Sequence, residues 1–393
     1  MGIFRFLTAG ESHGKGLVAI IEGLPAGILI NEDLIVCDMA RRQSGYGRGE
    51  RMKIERDSAE IISGVRLGLT IGSPISLFIE NRDWDNWQQI MSVTPTDEQI
   101  TTVTAFRPGH ADLAGVMKYG LDDIRSVLER ASARETASRV AVGSICRCFL
   151  NEFAIRVQSH TVAIGNIKVN SDIIAIDWEQ VEHSPLRCND ADAEKKMIAA
   201  IDDAQKAGDS LGGIFEVVAT GVPPGLGSHI QWDRKLNSRI AQAMMSINAV
   251  KGVEIGAGFA ASERKGSQVH DVIEPASEEQ YWWKRKSNNA GGIEGGMSNG
   301  EPVVVRCAIK PIPTLIKPLD SIDMLTGEAI QSHIERSDIC VVPAAGVVGE
   351  AMLAIVLTEA MLEKFGGDNV KETRRNFENY IKSIAERRKL HGR

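Results

Sequence analysis

The spacing of apolar positions divides the chain into short strand-like runs and a few long helical stripes. Residues 15–30 read as a pair of apolar strands about a turn at 23–25. Residues 31–43 follow, with Leu34, Ile35, Asp38 and Met39 at helical spacing. Residues 43–51 hold three glycines and two arginines and predict a mobile basic loop. Residues 58–80 suggest short strands with a turn at 72–74. Residues 82–104 are polar, carry two tryptophans and show no period, so a loop excursion is expected.

Helices are better marked. Ser132 with Glu135 three residues on is a capping-box pattern. Ala137, Val140, Ala141, Ile145 and Phe149 continue it as a core-facing stripe. A second helix is predicted over 233–250, capped by Asp233 and carried by Leu236, Ile240, Met244 and Ile247, with Gly252 ending it. A third runs from about Ala344 to Phe365 and stops at Gly366 and Gly367. The tail from 368 is an amphipathic helix on Val370, Phe377, Ile381 and Ile384; its end, Arg387, Arg388 and Lys389, reads as a solvated terminus. Strands are expected at 214–220 and 303–309, and residues 291–300 form the densest glycine loop. Strands clustered between helices, without strict βαβ alternation, predict an α+β fold.

Length and charge add limits. A chain of 393 residues suggests two or three domains, and 43% hydrophobic residues suffice for a large core. The net charge of −7, with no interleaving of aromatic and basic residues, argues against nucleic-acid binding. Positive charge is nonetheless bunched, at Arg41, Arg42, Arg48 and Arg51 and again at Arg125, Arg130, Arg134 and Arg139. Six cysteines lack metal-ligand or framework spacing and read as buried thiols of a reducing compartment, with no metal site expected. Glu22 and Pro25 interrupt the apolar N-terminal stretch, and Glu350 and Glu359 the later one, so no membrane span is expected. The first ten residues lack the basic and apolar regions of a leader, so a cytoplasmic location is expected.

Several motifs could carry chemistry. His13 lies between glycines in Gly10-Glu11-Ser12-His13-Gly14. It either meets a ligand as an acid–base group or bonds a carbonyl within a turn. His110 follows Arg107-Pro108-Gly109; it either forms part of a salt-bridged turn or acts as an acid once an anion offsets the arginine. Arg130 and Arg134 flank the helix start at Ser132, where cations oppose the helix dipole unless an anion is present. Pairing with Glu129 and Glu135 is the alternative. Asp338 is a cap, a paired carboxylate or a base. Lys310-Pro311-Ile312-Pro313-Thr314 offers an ammonium and a hydroxyl, or is a rigid loop. No Walker, G-x-G-x-x-G or G-x-S-x-G pattern occurs at a suitable turn. The residues by themselves point to an enzyme for a multiply anionic ligand.

Together these motifs resemble chorismate synthase. The resemblance rests on Gly10 to Gly14, Arg107 to Asp112, Arg130 to Thr136, Gly208-Asp209-Ser210-Leu211-Gly212-Gly213, Asn248-Ala249-Val250-Lys251-Gly252, Arg336-Ser337-Asp338, Pro343-Ala344-Ala345 and Glu350-Ala351-Met352, in order along nearly the whole chain. It implies a single domain over 1–393, a β-α-β sandwich with a helical tail from about 368, assembled as a homotetramer. It implies 1,4-anti elimination of phosphate from 5-enolpyruvylshikimate 3-phosphate, giving chorismate, the last common step of aromatic amino acid biosynthesis. Reduced FMN is required without net redox change, with NADPH or a separate flavin reductase as its source. By the same resemblance FMN meets Arg130, Ala131, Ser132, Asn248, Ala249, Gly295, Lys310, Pro311, Ile312, Pro313, Thr314 and Arg336. Ala131 stands where many relatives carry Ser, which leaves a backbone contact there. Arg42 and Arg48 take a pyridine nucleotide or the substrate phosphate, and Arg51, Arg107 and Arg134 the substrate. His13 protonates the leaving phosphate, His110 stabilises or protonates the reduced flavin, and Asp338 assists removal of the C6 proton. The alternative is a flavin reductase or dehydrogenase acting on an anionic substrate, which would consume pyridine nucleotide stoichiometrically.

Overall fold

The N-terminal alternation closes into a four-stranded antiparallel sheet, with β1 (Arg5–Ala9), β2 (Gly16–Glu22), β3 (Ala59–Ser63) and β4 (Ile75–Glu80) in the order β1-β2-β4-β3. The computed structural model describes residues 4–49, 57–97, 99–169, 176–275, 283–334 and 338–391. Leu17, Ala19 and Ile21 of β2 and Ile75, Leu77 and Ile79 of β4 are buried on one face, as period-two strands require. The other face shows Leu7, Val18 and Ile20 to solvent.

A second antiparallel sheet is built from β5 (Arg156–Ile164), β6 (Ile167–Lys168), β7 (Gly213–Thr220), β8 (Val250–Ile255) and β9 (Val303–Ile309), in the order β8-β9-β7-β5-β6. Helices α1 (Glu32–Gln43), α2 (Asp112–Tyr119), α3 (Arg125–Ala131), α4 (Thr136–Asn151), α5 (Ala191–Ala207), α6 (Leu236–Met245), α7 (Val342–Phe365) and α8 (Val370–His391) complete the main elements. α4 packs on the first sheet and on α7, and α7 packs on β5 and β7, so the helices form a layer between the sheets. The architecture is α+β, as the clustering of strands implies. One continuous apolar cluster runs through all three layers.

α7 is apolar all round because it is enclosed all round. By length and composition it could cross a membrane, yet nearly all of it is buried in the fold. Its contact with α4 is very close. A Cβ added to Gly143 would lie 2.3 Å from the Ala351 Cβ, so any side chain there would push the two helices apart.

Within this layer lies a buried ionic cluster. Both guanidinium NH groups of Arg41 donate to Glu350 at 2.8 Å, Arg187 donates to it at 3.1 Å and Ser159 at 2.7 Å. Asp38 binds Arg41 at 2.9 Å and accepts from Ser144 at 2.9 Å. Arg147 bridges Asp38 and Glu350. Burial acting alone would raise the Glu350 pKa, but the three guanidinium charges hold it down at about 2. The cluster ties α1, α4, β5 and α7 together.

The structure differs from the sequence reading in places. Of residues 15–30 only 16–22 form a strand; its hairpin partner is β1, whose five residues carry too short an alternation to stand out. Residues 23–30 run on to a bridge from Ala26 to Asn369, with the Ala26 N–H donating to Asp368 and the Val370 N–H donating back to Ala26, both at 2.9 Å. α6 starts at Leu236, after a single 3₁₀ turn at Trp232–Arg234, so Asp233 does not cap it. It ends at Met245, and Gly252 lies inside β8. The apolar sequence from Ile247 fits both periods, and Ala249, in a left-handed conformation at φ 66°, breaks the helix. Five of the six cysteines are buried, but Cys37 is exposed.

Replacing Glu350 with Ala leaves three arginines facing a void, and we expect a loss of about 3–5 kcal/mol in urea unfolding. Because the folded pKa lies below that of the unfolded chain, this contribution is complete above the ordinary carboxylate range and lost as pH falls toward about 2. Wild-type stability should therefore decline more steeply with acid than that of Glu350→Ala.

Candidate active site

At one edge of the helical layer a cavity of about 590 Å³ opens. The loop after β1 brings His13 to it, α3 and the turn after it bring Ala131, Ser132 and Arg134, and the segment after β9 brings Lys310, Ile312, Pro313 and Thr314. Arg42, Arg48, Arg107, His110, Asn248, Ala249 and Asp338 complete the predicted residues in its wall.

Ser132 shows how the local sequence builds this wall. Its hydroxyl accepts from the Arg134 N–H, capping a 3₁₀ turn over Ala133–Glu135 that leads into α4. Glu135 does not reach back as a capping box would; it binds Arg139 at 2.7 Å. Neither neighbouring glutamate takes the flanking arginines. Arg130 turns away from the cavity to the Thr8 and Gly10 carbonyls, both at 3.0 Å. Arg134 meets Asp57 at 3.0 Å. The same carboxylate meets Arg42 at 3.3 Å, and Arg42 also donates to the Thr136 hydroxyl and the Ala133 carbonyl. The anion that the helix start demanded is thus partly internal, and it is Asp57.

Both histidines are tethered to buried carboxylates. His13 Nδ1 lies 2.9 Å from Glu129 Oε1, and its backbone N–H donates to Oε2 at 2.8 Å. Burial pushes the Glu129 carboxyl up, but the bonds from His13 and the charge of Arg125 outweigh this and hold it below the usual range. His110 Nδ1 bonds Asp112, which also binds Arg107 Nε at 2.9 Å. Asp112 is fully buried, and its bonds to His110 and Arg107 overcome burial to hold it well below the usual range. Asp338 accepts from the Gly49 N–H at 2.6 Å and pairs with Arg48 at 3.0 Å.

The wall also has an apolar part, formed by Leu128, Met245, Ile247, Ile309, Val341 and Val348. Asn248 donates through Nδ2 to the Ala131 carbonyl at 3.1 Å, while its Oδ1 is buried without a hydrogen-bond partner. Ala249 holds its left-handed conformation through a bond from the Lys310 N–H to its carbonyl at 2.9 Å, the kind of strain that collects at functional sites. The 310–314 segment is pinned by Ser210, whose hydroxyl donates to the Ile312 carbonyl at 2.7 Å, and by Gly212, where a Cβ would lie 2.3 Å from the Ile309 carbonyl oxygen.

Some predicted residues sit elsewhere. Gly295 lies in a tight hairpin beside the start of α6, where the Leu236 N–H donates to the Gly296 carbonyl. The cavity is at the other end of that helix, beside Met245. Pro311 lies outside the wall, with its backbone nitrogen close to Gly212. Arg51 and Arg336 lie outside the described residues. Sequence reasoning missed Asp57 and Glu129 as site carboxylates, and Lys251, which lines the cavity. Lys251 lay in a quoted motif without a role. Burial, with the charge of Lys251 added, pushes the Lys310 ammonium below the ordinary lysine value.

A cavity lined by two carboxylate-bound histidines and several arginines suits acid–base chemistry on an anionic small molecule, which places this protein among enzymes. Comparison with known proteins narrows the class. The profile for the chorismate synthase family matches residues 4–362. The chorismate synthase of Geobacter sulfurreducens is 56% identical over 391 residues, covering 97% of this chain and 99% of its own. That of Aquifex aeolicus is 54% identical over 391 residues, covering 97% and 98%. A crystal structure of a chorismate synthase superposes with a TM-score of 0.78 at 46% identity, covering 98% of each chain. The chain belongs to the chorismate synthase family, a family of lyases.

Asp57→Asn would leave Arg42 and Arg134 without their shared carboxylate at the cavity. We expect a stability loss of roughly 3 kcal/mol that millimolar inorganic phosphate partly restores. A thermal melt with and without phosphate checks this; equal phosphate effects on variant and wild type would count against an anion site at these arginines.

Proposed function

We propose that the chain eliminates phosphate from 5-enolpyruvylshikimate 3-phosphate in a 1,4-anti sense, giving chorismate, with reduced FMN in the same cavity. The observation that carries the reading is the convergence of His13, His110, Asp338 and the arginines, from distant parts of the sequence, on one cavity. The substrate bears two carboxylates and a phosphate, and guanidinium forks are the natural receptors for such groups.

The wall fits a flavin. The apolar face offers a surface for a flat ring system, the buried Asn248 Oδ1 awaits a donor, and Lys310 and Lys251 offer charge to an anionic form. Asn248, Ala249, Ala131, Ser132, Lys310, Ile312, Pro313 and Thr314 would hold it. Gly295, Pro311, Arg130 and Arg336 are carried from the resemblance alone. When bound, reduced FMN would supply electron density to the allylic system without net redox change.

The remaining steps belong to the chain. A carboxylate on Nδ1 makes Nε2 the nitrogen of His13 that serves substrate, and it protonates the departing phosphate. Arg42 and Arg48 bind that phosphate or a pyridine nucleotide, and Arg107, Arg134 and Arg51 the carboxylates. His110, backed by Asp112, supplies a positive or proton-donating group beside the flavin. Asp338, held by Arg48 and the Gly49 amide, assists transfer of the C6 proton. The apolar wall excludes water, which strengthens each of these interactions. The chain acts as one domain over 1–393 in the cytoplasm, and as a homotetramer the exposed apolar row on the first sheet, Leu7, Val18 and Ile20, would give a second copy a face to cover.

In an anaerobic assay of phosphate release with photoreduced FMN, His13→Ala and His110→Ala should each lower turnover about 10²–10⁴-fold with unchanged circular dichroism. Full turnover in both removes them from the mechanism. FMN should bind more tightly in the presence of substrate, because a substrate lying against the ring system closes the apolar wall from water. Calorimetry showing equal affinity with and without substrate contradicts this.

A further inference from the structure

His13 is enclosed by more than its carboxylate. Its imidazole stacks on the indole of Trp87, with ring centroids 3.8 Å apart and planes inclined by 26°. The Arg125 guanidinium lies against the same indole, 5.2 Å from its centroid, and reaches Glu129 at 3.4 Å. The four side chains therefore close a ring: His13 to Glu129, Glu129 to Arg125, Arg125 to Trp87, and Trp87 back to His13. Arg125 and Glu129 are one turn apart on α3, so the helix sets their spacing.

Trp87 itself is anchored to the loop it serves. Its Nε1 donates to Asp83 at 2.9 Å, and the Asp83 N–H donates to Asn81 Oδ1 at 3.2 Å. The Asn81 amide donates to the Gly14 carbonyl at 2.9 Å, and its backbone N–H to the Lys15 carbonyl at 3.1 Å. Asn81 is only 2% exposed. The tryptophan loop and the histidine loop are thus one bonded unit.

We propose that Glu129 and Trp87 are positioning residues of the reaction, which hold the His13 ring so that Nε2 is presented to the leaving phosphate. The inference rests on His13 being the proton donor. In the transfer, Nε2–H gives its proton to a phosphate oxygen as the C–O bond breaks and its electron pair leaves with phosphate. The ring ends neutral, with Nδ1–H still bonded to Glu129. Glu129 fixes which nitrogen faces the substrate. The indole face stops rotation about the side-chain torsions. A small misplacement of such a group is costly, on the order of 10²-fold in rate. The charged groups packed around the ring are Glu129 and Arg125 of α3, Glu11 of its own loop, whose carboxylate lies against Gly14, and Asp83 beneath the indole.

The test compares Trp87→Ala, Trp87→Phe, Glu129→Gln and His13→Ala in the full chain, in the anaerobic phosphate-release assay with photoreduced FMN. We expect Trp87→Ala and Glu129→Gln to lower kcat about 10²-fold with KM changed less than about threefold, and Trp87→Phe to recover most of the loss. A second readout needs no turnover: Trp87 emission, taken as the difference between wild type and Trp87→Phe, should change in His13→Ala, which removes the stacked ring, and in Glu129→Gln, which frees that ring to rotate. Wild-type kcat in Trp87→Ala and Glu129→Gln, or losses in which Phe restores nothing and the Trp87 emission is unchanged in Glu129→Gln, overturn the positioning role. If His13→Ala itself keeps full turnover, the proton-donor reading fails first. If Glu129→Gln does not fold, the Trp87 pair and the emission of His13→Ala decide the matter.

Discussion

The ionic cluster around Glu350 is the constraint on which the rest depends. A carboxylate buried in the middle layer is tolerable only with cations around it, and three arginines from α1, α4 and the segment before α5 supply them. That fixes the placement of α1 against α7. It also decides what the next residue does. Arg41 faces the cluster, so Arg42, a helical step of about 100° further round, is presented to the cavity and to Asp57. One basic pair thereby serves two ends, one arginine holding the core and the other the site.

The site repeats this economy of charge. Arg42 and Arg134 share Asp57, Arg107 holds Asp112, Arg48 holds Asp338, and His13 holds Glu129. Each cation is oriented before any ligand arrives, so little reorganisation remains for the reaction itself. Lys310 is held as well, by the Gly109 carbonyl at 2.6 Å, but burial and the charge of Lys251 both disfavour its ammonium. An incoming negative charge would offset both.

Much of this was legible in the sequence because it is local. The stripe from Ala137 to Phe149, the apolar run to Phe365 and the α+β pattern depend on periodicity, and periodicity survives folding. The motifs around His13, His110 and Asn248 were visible as chemistry held in turns. What escaped depended on neighbours distant in sequence. Glu129 looked like a partner for Arg130, but it reaches back 116 residues to His13. Asp57 carries no motif and acquires its role because two arginines converge on it. Trp87 sat in a stretch without a period, where an aromatic gives no hint of what it will face. The misplaced end of α6 has another cause: an apolar sequence that satisfies both helix and strand was decided by the single left-handed residue Ala249.

The short bridge from Ala26 to Asn369 has a consequence for biosynthesis. The backbone groups of the 24–28 segment, near the start of the chain, find their partners just before α8, near its end. The cavity likewise needs His13 and Asp338 together. Synthesis must therefore pass residue 369 before the bridge closes and residue 338 before the cavity is complete, so both form only after the first sheet and α4 have had time to pack.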